Sequence, residues 1–333
     1  MVLELQDWLV GVTSMRWTKL GKIFNPIEHK MPAGCFEYAQ SPQVLILPDC
    51  IRIYFSTRAI DPDNKKFLSY VSFVDYSKDF AKILRVAENP VVSLGHRGCF
   101  DEHGIFPFSP ISVGGALLSY TTGWSRRVSV SVETGIGIVE STDHGLTFHR
   151  RGDGPILSAS LHEPCLVGDG FVRQFNGIFH MWYIFGLSWK QGVPGQMPDR
   201  IYKIGHATSD DGMIWKKEEG RQIISDVIDA DECQALPTVI ELAGKYHMYF
   251  CYRASVDFRT NPANSYRLGY ATSTDLSSWI REDNEAGITR SETGWDSQMM
   301  CYPHLFASEG KTYLLYNGDQ FGRFGFGLAV LSV

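Results

Sequence analysis

Acidic residues gather immediately ahead of a recurring proline. Glu37-Tyr38-Ala39-Gln40-Ser41-Pro42 is followed by Phe100-Asp101-Glu102-His103-Gly104, then His162-Glu163-Pro164, Asp231-Glu232-Cys233-Gln234 and Trp295-Asp296-Ser297-Gln298. Glu37, Glu102, Glu232 and Gln298 each stand five residues before a proline. Carboxylates brought together repel one another, so some rise in pKa and hold a proton while others stay ionised. Cleavage of a glycosidic bond needs that division: one acid protonates the leaving oxygen, and a base or nucleophile lies opposite. For any single acid, a solvated loop residue or the partner of a nearby arginine is the better reading. Recurrence at equivalent positions favours function for the set.

The elements that would position these acids repeat along the chain. Strand-like runs end in Asp75, Asp143, Asp211 and Asp275, at steps of 68, 68 and 64 residues. Each repeat opens with a proline segment (Gln40 to Val44, Ile105 to Phe108, His162 to Leu166, Ala235 to Val239, Cys301 to Leu305). Proline suits the first residue of a strand, where its missing N–H breaks no ladder bond. An aromatic-rich middle strand follows: Ile51 to Arg58, Ala116 to Trp124, Ile178 to Gly186, Lys245 to Arg253 and Lys311 to Asp319. A period in this range with about four short strands per unit predicts a β-propeller.

Five prolines and five middle strands imply five blades, over residues 36–90, 100–157, 160–224, 230–288 and 295–333. The last lacks its outer strand, and Met15-Arg16-Trp17-Thr18-Lys19-Leu20 resembles the outer segment Met213-Ile214-Trp215-Lys216-Lys217. Residues 15–24 are therefore expected to close the last blade and hide the sheet edge. The chain then reads as one all-β domain over 1–333, with 1–14 as an extension.

In a propeller the inner strands surround one axial cavity, and the ends of the middle strands reach it. Arg58, Trp124, Trp189, Arg253 and Asn317 occupy those ends. Indole faces stack on sugar C–H faces, and Arg or Asn donates to hydroxyl or phosphate oxygens. The turns Ser141 to Phe148 and Ser209 to Trp215 are similar to the Asp-box of sialidases. Their aspartates would accept backbone N–H bonds as staples rather than act in catalysis. A sialidase reading would want six blades and an arginine triad.

Composition limits the partners. The 333 residues are 44% hydrophobic, 13% aromatic and 20% charged, with net charge −6 and no basic run, which argues against nucleic acid. No apolar run approaches membrane-spanning length, and Met1 to Trp17 lacks the marks of a secretion signal. Seven cysteines without CxxC spacing read as reduced thiols of a cytoplasmic protein. Neither cysteines nor acids have metal-ligand spacing, so no metal and no cofactor are expected.

With these residues in hand, the chain resembles the five-bladed propeller superfamily of arabinanases, invertases and β-mannoside phosphorylases. More narrowly it is similar to glycosidase-like proteins of bacterial surface-polysaccharide loci, through Tyr38-Ala39-Gln40-Ser41-Pro42, Arg52 to Arg58, Phe100 to Gly104, Met300-Cys301-Tyr302-Pro303-His304 and Tyr316-Asn317-Gly318. The resemblance implies a blade-one aspartate as base or nucleophile, a blade-two aspartate that orients it and a later glutamate as acid. Here Ser41 precedes Pro42, so the first role is vacant. Asp101 fits the second, and Glu232 and Glu163 compete for the third. Glu37, Tyr38, Gln40, Glu102, Asp296 and His304 join Arg58, Trp124, Trp189, Arg253 and Asn317 as expected substrate contacts.

The expected function is glycoside-active, hydrolase-like chemistry on an oligosaccharide or glycoconjugate. Phosphorolysis or glycosyl transfer in surface-polysaccharide metabolism, with inorganic phosphate or a sugar nucleotide as partner and Arg58, Arg253 or His304 as phosphate ligands, is the enzymatic alternative. A non-catalytic sugar-binding propeller is the third reading.

Overall fold

The computed structural model describes residues 15–192 and 194–332; the expected extension 1–14 lies outside them. After β1 (Trp17–Phe24) come β2 (Glu37–Ile46), β3 (Ile51–Ile60), β4 (Phe67–Tyr76) and β5 (Ile83–Val86), each antiparallel to the next. The same order returns in β6 (Gly104–Val113), β7 (Ala116–Arg126), β8 (Val132–Ser141) and β9 (His149–Arg150). It returns again in β10 (Val167–Phe175), β11 (Ile178–Lys190), β12 (Asp199–Ser209) and β13 (Lys216–Lys217), and in β14 (Cys233–Leu242), β15 (Lys245–Arg253), β16 (Arg267–Ser273) and β17 (Ile280–Arg281). The last set is β18 (Cys301–Ser308), β19 (Lys311–Asn317) and β20 (Phe326–Leu331), and β1 pairs antiparallel with β20.

One parallel bridge, Ser69 to Gly104, joins the first two sets into an eight-stranded sheet. The first strands pack on one another in the order β2, β6, β10, β14, β18, and β18 also packs on β2. Among the described residues helix is confined to short turns, and no helix is long and apolar enough to cross a membrane.

The middle strands are apolar on both faces because each lies between neighbouring sheets. Tyr54, Phe55, Tyr183, Phe185, Tyr249, Phe250 and Tyr316 are all fully buried. Burying such a ring contributes about 1.5–3 kcal/mol. A glycine in each of three third strands makes room for a ring: a Cβ on Gly137 would lie 2.4 Å from Phe100, on Gly269 2.3 Å from Phe250, and on Gly327 2.4 Å from Trp295.

The aspartate turns act as connectors. Asp143 accepts from the N–H groups of Leu146 and Thr147, Asp211 from Met213 and Ile214, and Asp275 from Ser277 and Ser278. Two of the turns also receive a tyrosine from the preceding sheet, Tyr54 Oη donating to Gly145 O at 2.7 Å and Tyr120 Oη to Gly212 O at 2.9 Å. Asp75 differs, holding Arg52 at 2.7 Å and Arg85 at 2.9 Å.

The prolines do not open their strands. Pro42, Pro107, Pro237 and Pro303 sit inside β2, β6, β14 and β18, where the pairing with the second strand slips: Gln40/Gln43, Ile105/Phe108, Ala235/Thr238 and Cys301/His304. A bulge leaves a residue without a ladder partner, which is where a missing N–H is harmless. Ser41, Leu236 and Tyr302, each just before its proline, have φ of 52°, 50° and 56°. In β10 the slip falls between Gly168 and Phe171, and Asp169 has φ 54°. Gly170 thus takes the place of the proline, and Pro164 lies outside the strand.

Candidate functional site

The bulges project side chains into a cavity of about 450 Å³. Phe106, Asp169, Leu236 and Tyr302, the bulge residues of β6, β10, β14 and β18, all line it. The left-handed φ of Asp169, Leu236 and Tyr302 costs about 1–3 kcal/mol each, strain that gathers where a side chain must be aimed. The ends of the second and third strands supply Arg58, Trp124, Ile184, Arg200, Tyr202 and Arg253, and loops add Phe258, Arg259, Tyr266 and Phe321.

Among the described residues, Asp169 is the one carboxylate that lines the cavity. It is 7% exposed. Burial pushes its carboxyl up to about 7, an effect partly offset by the Arg200 charge and the Leu236 backbone N–H. Such a group holds its proton in slightly acidic solution and releases it near neutrality, the range in which general acids work.

The cations outnumber it. Arg259 is paired with Asp199 at 2.9 Å. Among the described residues, Arg58, Arg200 and Arg253 have no carboxylate within ion-pair distance. Rings hold two of them: Arg58 lies 4.3 Å from the Tyr38 centroid, and Arg253 lies 3.5 Å from that of Phe258. The Nε atoms of both are buried without an acceptor. Burial lowers the Arg58 pKa and raises the phenols of Tyr202, Tyr266 and Tyr302, so the tyrosines are neutral donors.

The acids singled out by sequence lie elsewhere. Asp101 pairs with Arg150 of β9, Glu163 with Lys217 of β13 at 2.6 Å, Glu232 with Arg281 of β17 at 2.6 Å, and Asp296 with Lys19 of β1 at 2.6 Å. Each pair ties the approach to a first strand to the fourth strand of the same set. Tyr183 Oη donates to Glu163 at 2.6 Å and Tyr316 Oη to Asp296 at 3.1 Å, so these two pairs share a tyrosine as well as a cation. All four acids are at most 2% exposed, and none lines the cavity. Asp101 keeps Oδ1 without a partner. Glu37 pairs with Arg323 at 2.6 Å, and Glu102 accepts from Gly98 N at 2.9 Å.

Of the expected substrate contacts, Tyr38, Gln40, Arg58, Trp124 and Arg253 line the cavity. The others do not. Trp189 packs on a hydrophobic cluster. Asn317 accepts from Ser41 N at 2.8 Å and donates to Ala39 O at 2.7 Å and Gly325 O at 2.8 Å, fixing the β2 bulge. His304 is fully buried and accepts from Val44 N at 3.1 Å; burial holds its pKa well below the usual range, so the ring is neutral.

Asp169 and Arg200 were not singled out from the sequence. For this repeat the sequence pointed to Glu163 beside Pro164, but the β10 bulge lies further on and carries Gly170 in place of a proline, so a proline landmark passes it by. The cue available was Gly168-Asp169-Gly170, a break in an otherwise apolar run.

Solved structures share this architecture. A structure described as a glycoside hydrolase superposes with TM-score 0.70 at 16% identity, covering 95% of this chain and 92% of that one. One described under the GH130 family of mannoside phosphorylases, containing glycoside hydrolases that target β-1,2 mannosidic linkages in Candida mannan, gives TM-score 0.64 at 15% identity over 99% and 95%. The endo-arabinase of Bacteroides thetaiotaomicron VPI-5482 gives 0.59 at 13% over 91% and 97%. The chain shares the fold of these glycosidase structures.

No family model matches the chain. Two Mycobacterium tuberculosis proteins, uncharacterized protein MT1551 of strain CDC 1551 / Oshkosh and uncharacterized protein Rv1502 of strain ATCC 25618 / H37Rv, are each 35% identical over 324 residues, spanning 96% of this chain and 100% of theirs. The chain belongs to the family of these mycobacterial proteins.

Proposed function

We propose that this protein is a glycoside-active enzyme that works in the bulge-lined cavity, with Asp169 protonating the leaving glycosidic oxygen. The observation that carries the reading is a lone buried carboxylate, aimed into a sugar-sized cavity by a strained bulge and poised near neutrality. Tyr38, Trp124, Tyr202 and Tyr302 would stack on or donate to the sugar. The sheets are read as five blades of one ring, closed where β1 pairs with β20; the packing of β18 on β2 supports this. Seven unpaired thiols favour a cytoplasmic setting for an enzyme of carbohydrate metabolism, and surface-polysaccharide synthesis is the setting we favour.

Hydrolysis by a carboxylate pair needs a second acid to activate water. No second one lines the cavity, among the described residues. That observation favours a second reading, phosphorolysis, in which phosphate oxygen attacks the anomeric carbon as the glycosidic C–O bond breaks. Asp169 would give its proton to the leaving oxygen and regain one from the phosphate. Transfer from a sugar nucleotide would spare a protein base where the departing nucleoside diphosphate takes the acceptor hydroxyl's proton.

Incubation of the protein with an oligosaccharide pool, with and without phosphate, read by mass spectrometry, separates these readings. Free reducing sugar marks hydrolysis, and sugar phosphate that appears only with phosphate marks phosphorolysis. Product formed at wild-type rate by Asp169→Asn would overturn the assignment. Saturable sugar binding with no product from any pool identifies a binding protein instead.

A further inference from the structure

The cavity's charge says what kind of sugar it takes. Four guanidiniums and one carboxyl line it, and three of the guanidiniums lack an acidic partner among the described residues. Arg253 is 2% exposed, and its acceptors are the carbonyls of Ala254 at 2.7 Å and Ser255 at 3.3 Å. The side chains of Arg58 and Arg200 donate no hydrogen bond within the protein, among the described residues. A neutral sugar that expelled water from this space would leave those charges with no counter-charge, an arrangement that is strongly disfavoured.

We propose, building on the glycoside-active reading, that the substrate is an anionic sugar whose own carboxylate or phosphate ester seats on Arg58, Arg200 and Arg253. Guanidinium forks match the planar carboxylate and the phosphate edge with two parallel N–H bonds. The arginines share their wall with the rings that would take the sugar's C–H faces: Arg58 lies over Tyr38 and Phe67, and Arg253 lies near Tyr202, Phe258 and Tyr266. The charge is therefore met by a group on the bound ring. An anion so placed also keeps Asp169 protonated, because a second negative charge in the same cavity opposes its ionisation.

The test is calorimetric titration of the full chain with glucuronate, glucose 6-phosphate, inorganic phosphate and glucose, at low and high salt. Glucuronate or glucose 6-phosphate is expected to bind at least tenfold more tightly than glucose and at least tenfold more tightly than inorganic phosphate. High salt should shrink the preference. Arg200→Gln and Arg58→Gln, checked for wild-type melting, should each cut the preference tenfold or more, with glucose binding equal or tighter because one uncompensated charge is gone.

Equal affinity for glucose and the anionic sugars, no binding of either anionic sugar, or a preference that survives both substitutions overturns the proposal. Inorganic phosphate binding as tightly as the anionic sugars overturns it too, and assigns the arginines to a free co-substrate. Asp169→Asn separates this proposal from the one it rests on. The variant should keep the anion preference and lose turnover. Retained turnover removes the proton donor alone, and a missing preference removes the anionic sugar alone.

Discussion

Replacing Asp169 with Asn removes the proton that the mechanism uses and also removes a folding penalty, and the two effects can be read separately. The carboxyl moves from an ordinary 3.8 to about 7 on folding. At about 1.36 kcal/mol per pH unit, a rise of roughly 3 units corresponds to about 4 kcal/mol of unfavourable burial once the group is ionised. Between pH 4 and 7 the folded state binds a proton that the unfolded state has released, so stability falls as pH rises through this window. Below pH 4 both states are protonated and the penalty vanishes.

Asp169→Asn is therefore expected to melt several degrees above wild type at pH 8 and at the same temperature at pH 3.5. Its turnover on a confirmed substrate should drop by about 10²–10⁴-fold. Wild-type kcat/KM should fall tenfold per pH unit above about 7, and that limb should disappear in the variant. Melting curves at the two pH values and a pH–rate profile are the assays. A variant that melts lower at both pH values, or retains the alkaline limb, refutes the reasoning.

The buried ion pairs make a contrasting prediction. Glu232→Gln removes one of the two carboxylates on Arg281, Asp283 at 2.8 Å remaining, and should cost about 1.5–3 kcal/mol by denaturant unfolding; a variant that is fully stable yet inactive would restore Glu232 as a catalytic acid. Trp124→Ala should raise KM by roughly three- to tenfold, the worth of one aromatic face, with unchanged kcat; an unchanged KM removes the stacking role. In Asp143, despite partial burial, hydrogen bonds from Thr147, Ser141 and Leu146 hold the carboxyl at about 2. This lowered pKa contributes stability above pH 4 that is lost as pH falls towards 2. Asp143→Asn should therefore flatten the acid limb of the stability curve by about 1–2 kcal/mol without touching sugar affinity.

Much of the architecture was legible because strands announce themselves by period and repeats by recurrence. The middle strands were readable as apolar runs, and the partnering of Trp17–Phe24 with β20 was readable from its likeness to the segment around Trp215. Arg58, Trp124 and Arg253 were readable as cavity residues from their places at strand ends. The acids misled for a physical reason. What recurs in four of the five strand sets serves a need those sets share, a carboxylate to hold the cation of the fourth strand; in the first set Glu37 holds Arg323 of the last set instead. Arg150, Lys217 and Arg281 lie 49, 54 and 49 residues from their partners, and Lys19 lies 277 away, separations that no local spacing rule joins.

The candidate acid breaks the pattern instead. At the bulge, where three other strands carry Ser41, Leu236 and Tyr302 before proline, β10 carries Asp169 before glycine. Burial decides the rest. A fully paired Glu232 and a nearly unpaired Asp169 look alike as acidic letters in the sequence, and only packing tells them apart.

The central claim, that Asp169 delivers the proton within the bulge-lined cavity, is tested most directly by a crystal structure of Asp169→Asn soaked with its sugar substrate. The expected complex has the sugar between Trp124 and Tyr302, its charged group on the arginines, and the scissile oxygen about 2.6–3.2 Å from the residue 169 side chain. A sugar bound with its scissile oxygen beside Glu232 or Asp101, and none in the cavity, would contradict the account.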